Sequence, residues 1–164
     1  MERRGRTQMT IAEGDALPDL ELTLPDGGPV RLGSYAGAPL VLYFYPKDDT
    51  TGCTREAQDF SDRMTGFKGA GAAVLGVSKD SPARHRKFIA KYDLVVPLAS
   101  DEEGAVISAF GSWVEKSLYG RKYMGTDRST FLFDGSGKLV RVWRKVKVPG
   151  HADAVLEAVR ALAG

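Results

Sequence analysis

The chain has 164 residues, which is enough for one ordinary domain with a sizeable core. Its 23 basic and 21 acidic residues nearly balance, and no apolar run approaches the roughly 20 residues that a membrane span needs. We therefore expect one domain, with neither a membrane nor a nucleic acid as partner.

The first residues form a short basic tail. Arg3, Arg4 and Arg6 outweigh Glu2 and account for the formal charge of +2, so the remainder of the chain is neutral overall. No apolar segment of a secretory signal follows them. We predict a disordered tail over residues 1–10, one domain over residues 11–164 and a cytoplasmic location.

The first half of the domain predicts alternating strands and helices. Short β-like segments at 17–24 and 30–32 flank the turn-forming residues 25–28, which indicates an N-terminal hairpin. The apolar runs 40–45 and 73–77 are typical of strands covered on both faces. Between them the spacing predicts a helix from Cys53 to Phe67, whose buried stripe comprises Cys53, Ala57, Phe60, Met64 and Phe67.

The second half continues this alternation. Ser81 and Pro82 are typical of a helix start. Pro97 interrupts the β-like run 95–99 and predicts an edge strand there. Residues 105–110 predict a short helix, 130–133 and 139–143 a hairpin, and 155–162 a closing amphipathic helix. Together these elements indicate an α/β fold.

The small number of cysteine and histidine residues argues against a bound metal, and we expect no other cofactor. Cys53 is the only cysteine, which excludes an internal disulfide and a cysteine-rich metal site. His85 and His151, the only histidines, have no ligand spacing with each other or with Cys53. We interpret both histidines as packing or capping residues.

A reactive-thiol pattern follows the first buried strand. Pro46, Thr50 and Cys53 stand in the order Pro-x-x-x-Thr-x-x-Cys at a strand-to-helix turn. A helix N-terminus favours a thiolate, but a more acidic thiol is also a weaker nucleophile, so the site needs donors aimed at the substrate. The Thr50 hydroxyl and the backbone N–H groups near Gly52 and Cys53 fit that need. Taken singly, these residues more often serve as an inert core thiol, a helix cap and a strand end.

Longer segments carry a family resemblance. In chain order they are YFYPKDDTTGCTREAQDF, SPARHRKFIAKYDL, YGRKYMGTDRSTFLFD and VKVPGHADAVLEAV. From residue 11 onward the chain resembles the peroxiredoxins, specifically the bacterioferritin-comigratory-protein (PrxQ) group. The resemblance implies a thioredoxin-like fold, with a central mixed β-sheet flanked by helices and an N-terminal β-hairpin extension, and the activity of a thiol-dependent peroxidase.

The resemblance also implies roles for individual residues. Cys53 resembles the peroxidatic cysteine, Thr50 the hydroxyl donor, and Pro46 the residue that shields the thiolate from water. Arg128 resembles the active-site arginine, although alone it could equally form a surface ion pair. We expect Glu56, one turn into the helix, to accept a bond from the arginine side of the site.

Two departures from the family pattern change the expected cycle. Thr51 stands where many members have a second proline, and we expect this replacement to have a modest effect. Gln58 stands where many relatives place a resolving cysteine, and the helix that contains His85 and Phe88 has none either. We therefore expect a one-Cys cycle, in which an external thiol (thioredoxin, glutaredoxin with glutathione, or a small thiol) reduces the sulfenic acid left by hydrogen peroxide or an organic hydroperoxide.

Other functions remain as alternatives. A peroxide sensor or redox relay would pass oxidation to a partner protein through a mixed disulfide, and a single cysteine permits that. A glutathione-peroxidase-like enzyme fits the turn less well, and a thioredoxin-type reductase is excluded without Cys-x-x-Cys. The resemblance suggests a monomer, with a dimer as the alternative.

Overall fold

A computed structural model describes residues 10–163, and the basic tail residues Arg3, Arg4 and Arg6 lie outside the described residues. Within residues 10–163, seven strands form a mixed sheet in the order β2-β1-β5-β4-β3-β8-β9, and β6 and β7 form a separate hairpin. The strands are β1 (Glu21–Thr23), β2 (Pro29–Arg31), β3 (Leu40–Phe44), β4 (Ala73–Ser78), β5 (Leu98–Ser100), β6 (Trp113–Leu118), β7 (Arg121–Thr126), β8 (Ser129–Phe133) and β9 (Leu139–Trp143). The helices are α1 (Thr51–Asp62), α2 (Met64–Gly69), α3 (Pro82–Tyr92), α4 (Ala105–Ala109) and α5 (His151–Ala163), with a 3₁₀ turn at Leu32–Tyr35.

Strand β3 is the centre of the sheet and divides the core. It pairs in parallel with β4 and antiparallel with β8, and all five of its residues are buried. Because side chains alternate along a strand, Val41 and Tyr43 face the core under α1, whereas Leu42 and Phe44 face the opposite core. The mixed sheet and the N-terminal hairpin agree with the predicted thioredoxin-like architecture.

The predicted helix over residues 53–67 is wrong as one continuous element. The structure ends α1 at Asp62 and begins α2 at Met64, with Arg63 at φ −106° and ψ 7° between them. The Arg63 N–H bonds the Phe60 carbonyl, three residues back, at 3.1 Å, while its guanidinium binds the Asp59 carbonyl at 2.8 Å and the Asp153 carboxylate at 2.6 Å. The apolar stripe continues across the break, because Met64 and Phe67 remain buried.

The predicted edge strand over residues 95–99 is also wrong in position. Strand β5 lies inside the sheet, parallel to β4 and in contact with β1 on its other side. Pro97 precedes the strand, so its missing N–H removes no ladder bond, while its carbonyl accepts a bond from Gly76 at 2.9 Å.

The β6–β7 hairpin is an element that the sequence pattern did not predict. Its turn residues Tyr119 and Gly120 have φ values of 52° and 79°, the left-handed pair that suits a two-residue hairpin turn.

The start of α3 agrees with prediction, since the Ser81 hydroxyl accepts a bond from the Arg84 N–H at 3.2 Å. No helix within residues 10–163 is both long enough and apolar enough to cross a bilayer.

Candidate active site

Cys53 lies in the first turn of α1, directly after the loop that leaves β3. Its side chain is 1% exposed and packs in the core cluster that also holds Tyr43, Ala57 and Phe60. The first N–H groups of a helix have no partner within the helix, and the helix dipole is positive at this end. The sulfur is therefore sheltered from water yet placed where negative charge is favoured.

Arg128 connects the sulfur to a buried carboxylate. Its Nη2 lies 3.4 Å from Cys53 Sγ, and its Nη1 donates to Glu56 Oε1 at 2.6 Å. The residue directly precedes β8, the antiparallel neighbour of β3, and this pairing places the guanidinium over the start of α1. One planar cation thus bridges two groups that carry or develop negative charge.

Glu56 titrates in an unusual range because of this environment. Its side chain is 1% exposed, and burial raises its pKa to about 7 against the opposing charge of Arg128. Burial alone would lower the pKa of Arg128, but the charges and hydrogen bonds of Glu56 and Cys53 outweigh it and raise that pKa. The guanidinium therefore stays charged while its carboxylate partner is partly protonated at neutral pH.

The remaining sequence-predicted residues surround the same turn. Thr50 occupies the N-cap position of α1 without a side-chain capping bond, and its hydroxyl donates instead to the Lys47 carbonyl at 3.0 Å. An added Cβ at Gly52 would lie 3.1 Å from Arg128 Nη2, so glycine is what allows the guanidinium to approach the backbone closely. Pro46 lies exposed at the surface two residues after β3 ends.

Two aromatic residues near the site were missed by sequence reasoning. The Tyr43 hydroxyl is buried and has no hydrogen-bond partner among the described residues; burial, and then the charges of Glu56 and Cys53, raise its pKa well above the ordinary value. His151 binds the Thr130 hydroxyl at 2.7 Å, and burial followed by the charge of Arg128 lowers its pKa to about 4. Period-two alternation along β3 was the available signal for Tyr43, since it places residues 41, 43 and 45 on one face.

A surface cavity opens beside the first turn of α1. Its volume is about 610 Å³, and its lining includes Gly52, Thr54, Arg55, Gln58 and Tyr92. Gln58 is half-buried on the outer face of α1 and therefore faces this cavity rather than the sulfur side of the helix.

Comparison with known proteins decides the family. The AhpC/TSA family pattern matches residues 13–142. A peroxiredoxin Bcp from Xanthomonas campestris is 50% identical over 143 residues, covering 87% of this chain and 89% of that protein. The chain belongs to the peroxiredoxin family. A peroxiredoxin Bcp from Bacillus subtilis is 46% identical over 152 residues, covering 93% of this peroxiredoxin and 97% of the relative.

Solved structures agree with this assignment. A structure of the Xanthomonas campestris bacterioferritin comigratory protein, reported for the alkyl peroxide reduction activity of that protein, has a TM-score of 0.85 at 46% identity and covers 92% of this chain and 100% of its own. The structure of a mutant of Xylella fastidiosa PrxQ has a TM-score of 0.89 at 39% identity and covers 94% of this chain and 98% of its own. The chain is thus a peroxiredoxin enzyme of thioredoxin-like fold in the PrxQ group, a class that takes peroxides as substrates and thiols as reductants.

Proposed function

We propose that this peroxiredoxin reduces hydrogen peroxide and organic hydroperoxides by a one-Cys mechanism at Cys53. The observation that supports it most is the bridge from Cys53 Sγ through Arg128 to Glu56, in a chain whose only sulfur nucleophile is that cysteine. The alkyl peroxide activity reported for the Xanthomonas relative supports organic hydroperoxides as substrates.

The first step transfers one oxygen atom to the sulfur. The Cys53 thiolate attacks one peroxide oxygen, an S–O bond forms, the O–O bond breaks, and the sulfur loses two electrons. Arg128 and the free N–H groups of the first turn, next to Gly52, stabilise the charge on the leaving oxygen, which departs as water or an alcohol once it is protonated. Glu56 holds the guanidinium in place by its 2.6 Å bond.

Thr50 and Pro46 complete the site in this proposal. The Thr50 hydroxyl already donates its hydrogen to the Lys47 carbonyl, so its lone pairs are free to accept the O–H of an incoming peroxide. This role differs from the hydroxyl donor that the family resemblance implied. Pro46 excludes water from the side of the turn on which the peroxide binds.

The second half of the cycle requires thiols from outside the chain. A first thiol attacks the sulfenic acid and releases water, leaving a mixed disulfide with Cys53. A second thiol attacks that disulfide, releases the oxidised reductant and restores the Cys53 thiol. The cavity beside Gln58 adjoins the first turn of α1 on the face away from the buried sulfur, so an incoming small or protein-borne thiol reaches Cys53 only once that turn opens. Thioredoxin, glutaredoxin with glutathione, and a small thiol are the candidate reductants.

The catalytic assignment is tested by the Cys53→Ser variant. We expect it to fold normally and to lose peroxide consumption completely, because a hydroxyl at this position is not a competent nucleophile. Stopped-flow consumption of hydrogen peroxide and an alkyl hydroperoxide, with each candidate reductant, measures the loss. Sustained turnover by the parent protein supports an enzyme, whereas a single oxidation that stalls with every reductant would support the sensor alternative.

The missing resolving cysteine predicts easy overoxidation. Without a fast internal disulfide the sulfenic acid persists, and a second peroxide converts it to sulfinic acid. Intact mass after graded peroxide without reductant is expected to show the addition of two oxygen atoms to Cys53. Gln58→Cys is the matched variant: residue 58 faces away from the sulfur, so a disulfide with Cys53 requires α1 to unwind locally, and we then expect disulfide-containing species to replace part of the sulfinic product. Accumulation of only disulfide-linked species in the parent protein would refute the one-Cys cycle.

A cytoplasmic location, a monomeric state and the division between the tail and the domain stay predictions.

A further inference from the structure

A chain of buried polar groups ties the loop before α1 to α3. Asp48 is 3% exposed and His85 is fully buried, and Asp48 Oδ2 lies 2.6 Å from His85 Nδ1. The second carboxylate oxygen of Asp48 accepts a hydrogen bond from the Tyr45 hydroxyl at 2.6 Å. The loop that leads to Cys53 is thus anchored by a side chain from a different helix.

Both ring nitrogens of His85 are hydrogen-bonded. Its Nε2 lies 3.0 Å from the Ala99 carbonyl, which is only an acceptor, while its Nδ1 faces the carboxylate. Asp48 and His85 therefore form a buried hydrogen-bonded pair whose side-chain polar atoms all have partners.

The backbone of the loop is held as well. The Asp48 N–H donates to Asp80 Oδ2 at 2.8 Å, and Asp80 is in turn fixed by the Ser78 hydroxyl at 2.7 Å and Arg84 Nε at 2.9 Å. The position of Asp48 is therefore determined by β4, α3 and β5 together. A buried contact between a carboxylate and a histidine is weak evidence for stability, because well-packed apolar residues often serve as well, so stability alone does not account for this pair.

We propose that Asp48 and His85 are a positioning pair for the reaction at Cys53. Asp48 precedes Thr50 by two residues and Cys53 by five, so its anchor determines how the chain enters α1 and how the first-turn N–H groups and Cys53 Sγ meet Arg128. Displacements of about 1 Å in such arrangements can lower rates by roughly 100-fold. The inference rests on the peroxide chemistry proposed above for Cys53.

The test is a double-mutant cycle with Asp48→Ala, His85→Ala and the combined variant. The measured quantity is the rate constant for peroxide oxidation of reduced protein, well below the melting temperature. We expect the rate constant to fall roughly 10- to 100-fold in each single variant. The combined variant should lose no more than either single variant, because both substitutions break the same contact. A purely structural pair would lower the melting temperature while folded molecules kept the parent rate, and that result, or losses that multiply, would overturn the proposal.

Two further variants keep the test decisive if an alanine variant does not fold. Asp48→Asn and His85→Gln retain shape but weaken the contact between the two side chains, and we expect a smaller rate loss of about tenfold in each. Lys91→Met is the matched control, since it removes the 2.9 Å surface contact of the adjacent Asp49 and should leave the rate unchanged. An inactive parent protein would instead refute the proposed function.

Discussion

Replacing Arg128 by methionine is expected to lower the rate constant for peroxide by roughly 100- to 1,000-fold, the usual effect of removing one donor that stabilises developing charge. Arg128 is the only side chain among residues 10–163 for which a hydrogen bond to Cys53 Sγ is found, at 3.4 Å. Its removal also leaves Glu56 buried without its 2.6 Å partner, so Glu56 is expected to become neutral at pH 7. Stopped-flow oxidation of the reduced variant measures the effect.

Two variants separate charge from geometry in this experiment. Arg128→Lys keeps the positive charge, but an ammonium group cannot contact Glu56 and Cys53 as a planar fork, so we expect most of the loss to remain. Arg63→Met removes an arginine with an equally short carboxylate contact, 2.6 Å to Asp153, at the other end of α1. Its rate should equal that of the parent protein. An Arg128→Met variant with the parent rate would show that the guanidinium takes no part in the reaction.

The local pattern around Cys53 accounts for the backbone elements of the candidate site, and the roles of its side chains stay proposals. A buried run followed by Pro46, Thr50 and Cys53 specifies a strand, a turn and a helix start within 15 residues, and all of these signals are local. Arg128 is 75 residues away in sequence, and only the family resemblance placed it beside the sulfur. The contact itself depends on the pairing of β3 with β8, which no short window of sequence contains.

The incorrect or missing predictions share a physical cause. Arg63, at the break, contacts Asp153, 90 residues later, and the interior position of β5 depends on pairing with β1 and β4. His85 is buried, which agrees with a packing role, but the carboxylate that it contacts lies 37 residues earlier in the chain. Tertiary partners of this kind override local propensity and leave no trace in helix or strand periodicity.

Between pH 4.5 and 6.5, stability is expected to depend on two buried groups that act in opposite directions. Folding raises the pKa of Glu56 from 4.5 to about 7, so its contribution is complete below pH 4.5 and is lost as the pH rises through 7. Folding lowers the pKa of His151 from 6.5 to about 4, so its contribution is complete above pH 6.5 and is lost as the pH falls through 4. Each pH unit is worth about 1.4 kcal/mol, so each group contributes up to about 3 kcal/mol over its range.

Substituting one group at a time should therefore reveal a pH dependence of the free energy of unfolding that the other group cancels in the parent protein. In Glu56→Gln, we expect the free energy of unfolding to fall by up to about 3 kcal/mol between pH 6.5 and 4, because only His151 then titrates. In His151→Gln, which can still bond Thr130, we expect it to rise by a similar amount, about 3 kcal/mol, as the pH falls from 7 to 4.5. Urea unfolding at a series of pH values measures both, and subtraction of the parent curve removes the contributions of other carboxylates.

The double variant is the decisive control, because both groups face the same cation. The charge of Arg128 lowers the pKa of Glu56 and the pKa of His151 alike, so the two titrations are coupled through one guanidinium. With both groups replaced, the opposing slopes disappear together, and the pH profile should return close to that of the parent between pH 4.5 and 6.5. If either single variant keeps the parent profile, the corresponding group titrates normally in the folded protein, and the electrostatic description of the Arg128 site is wrong.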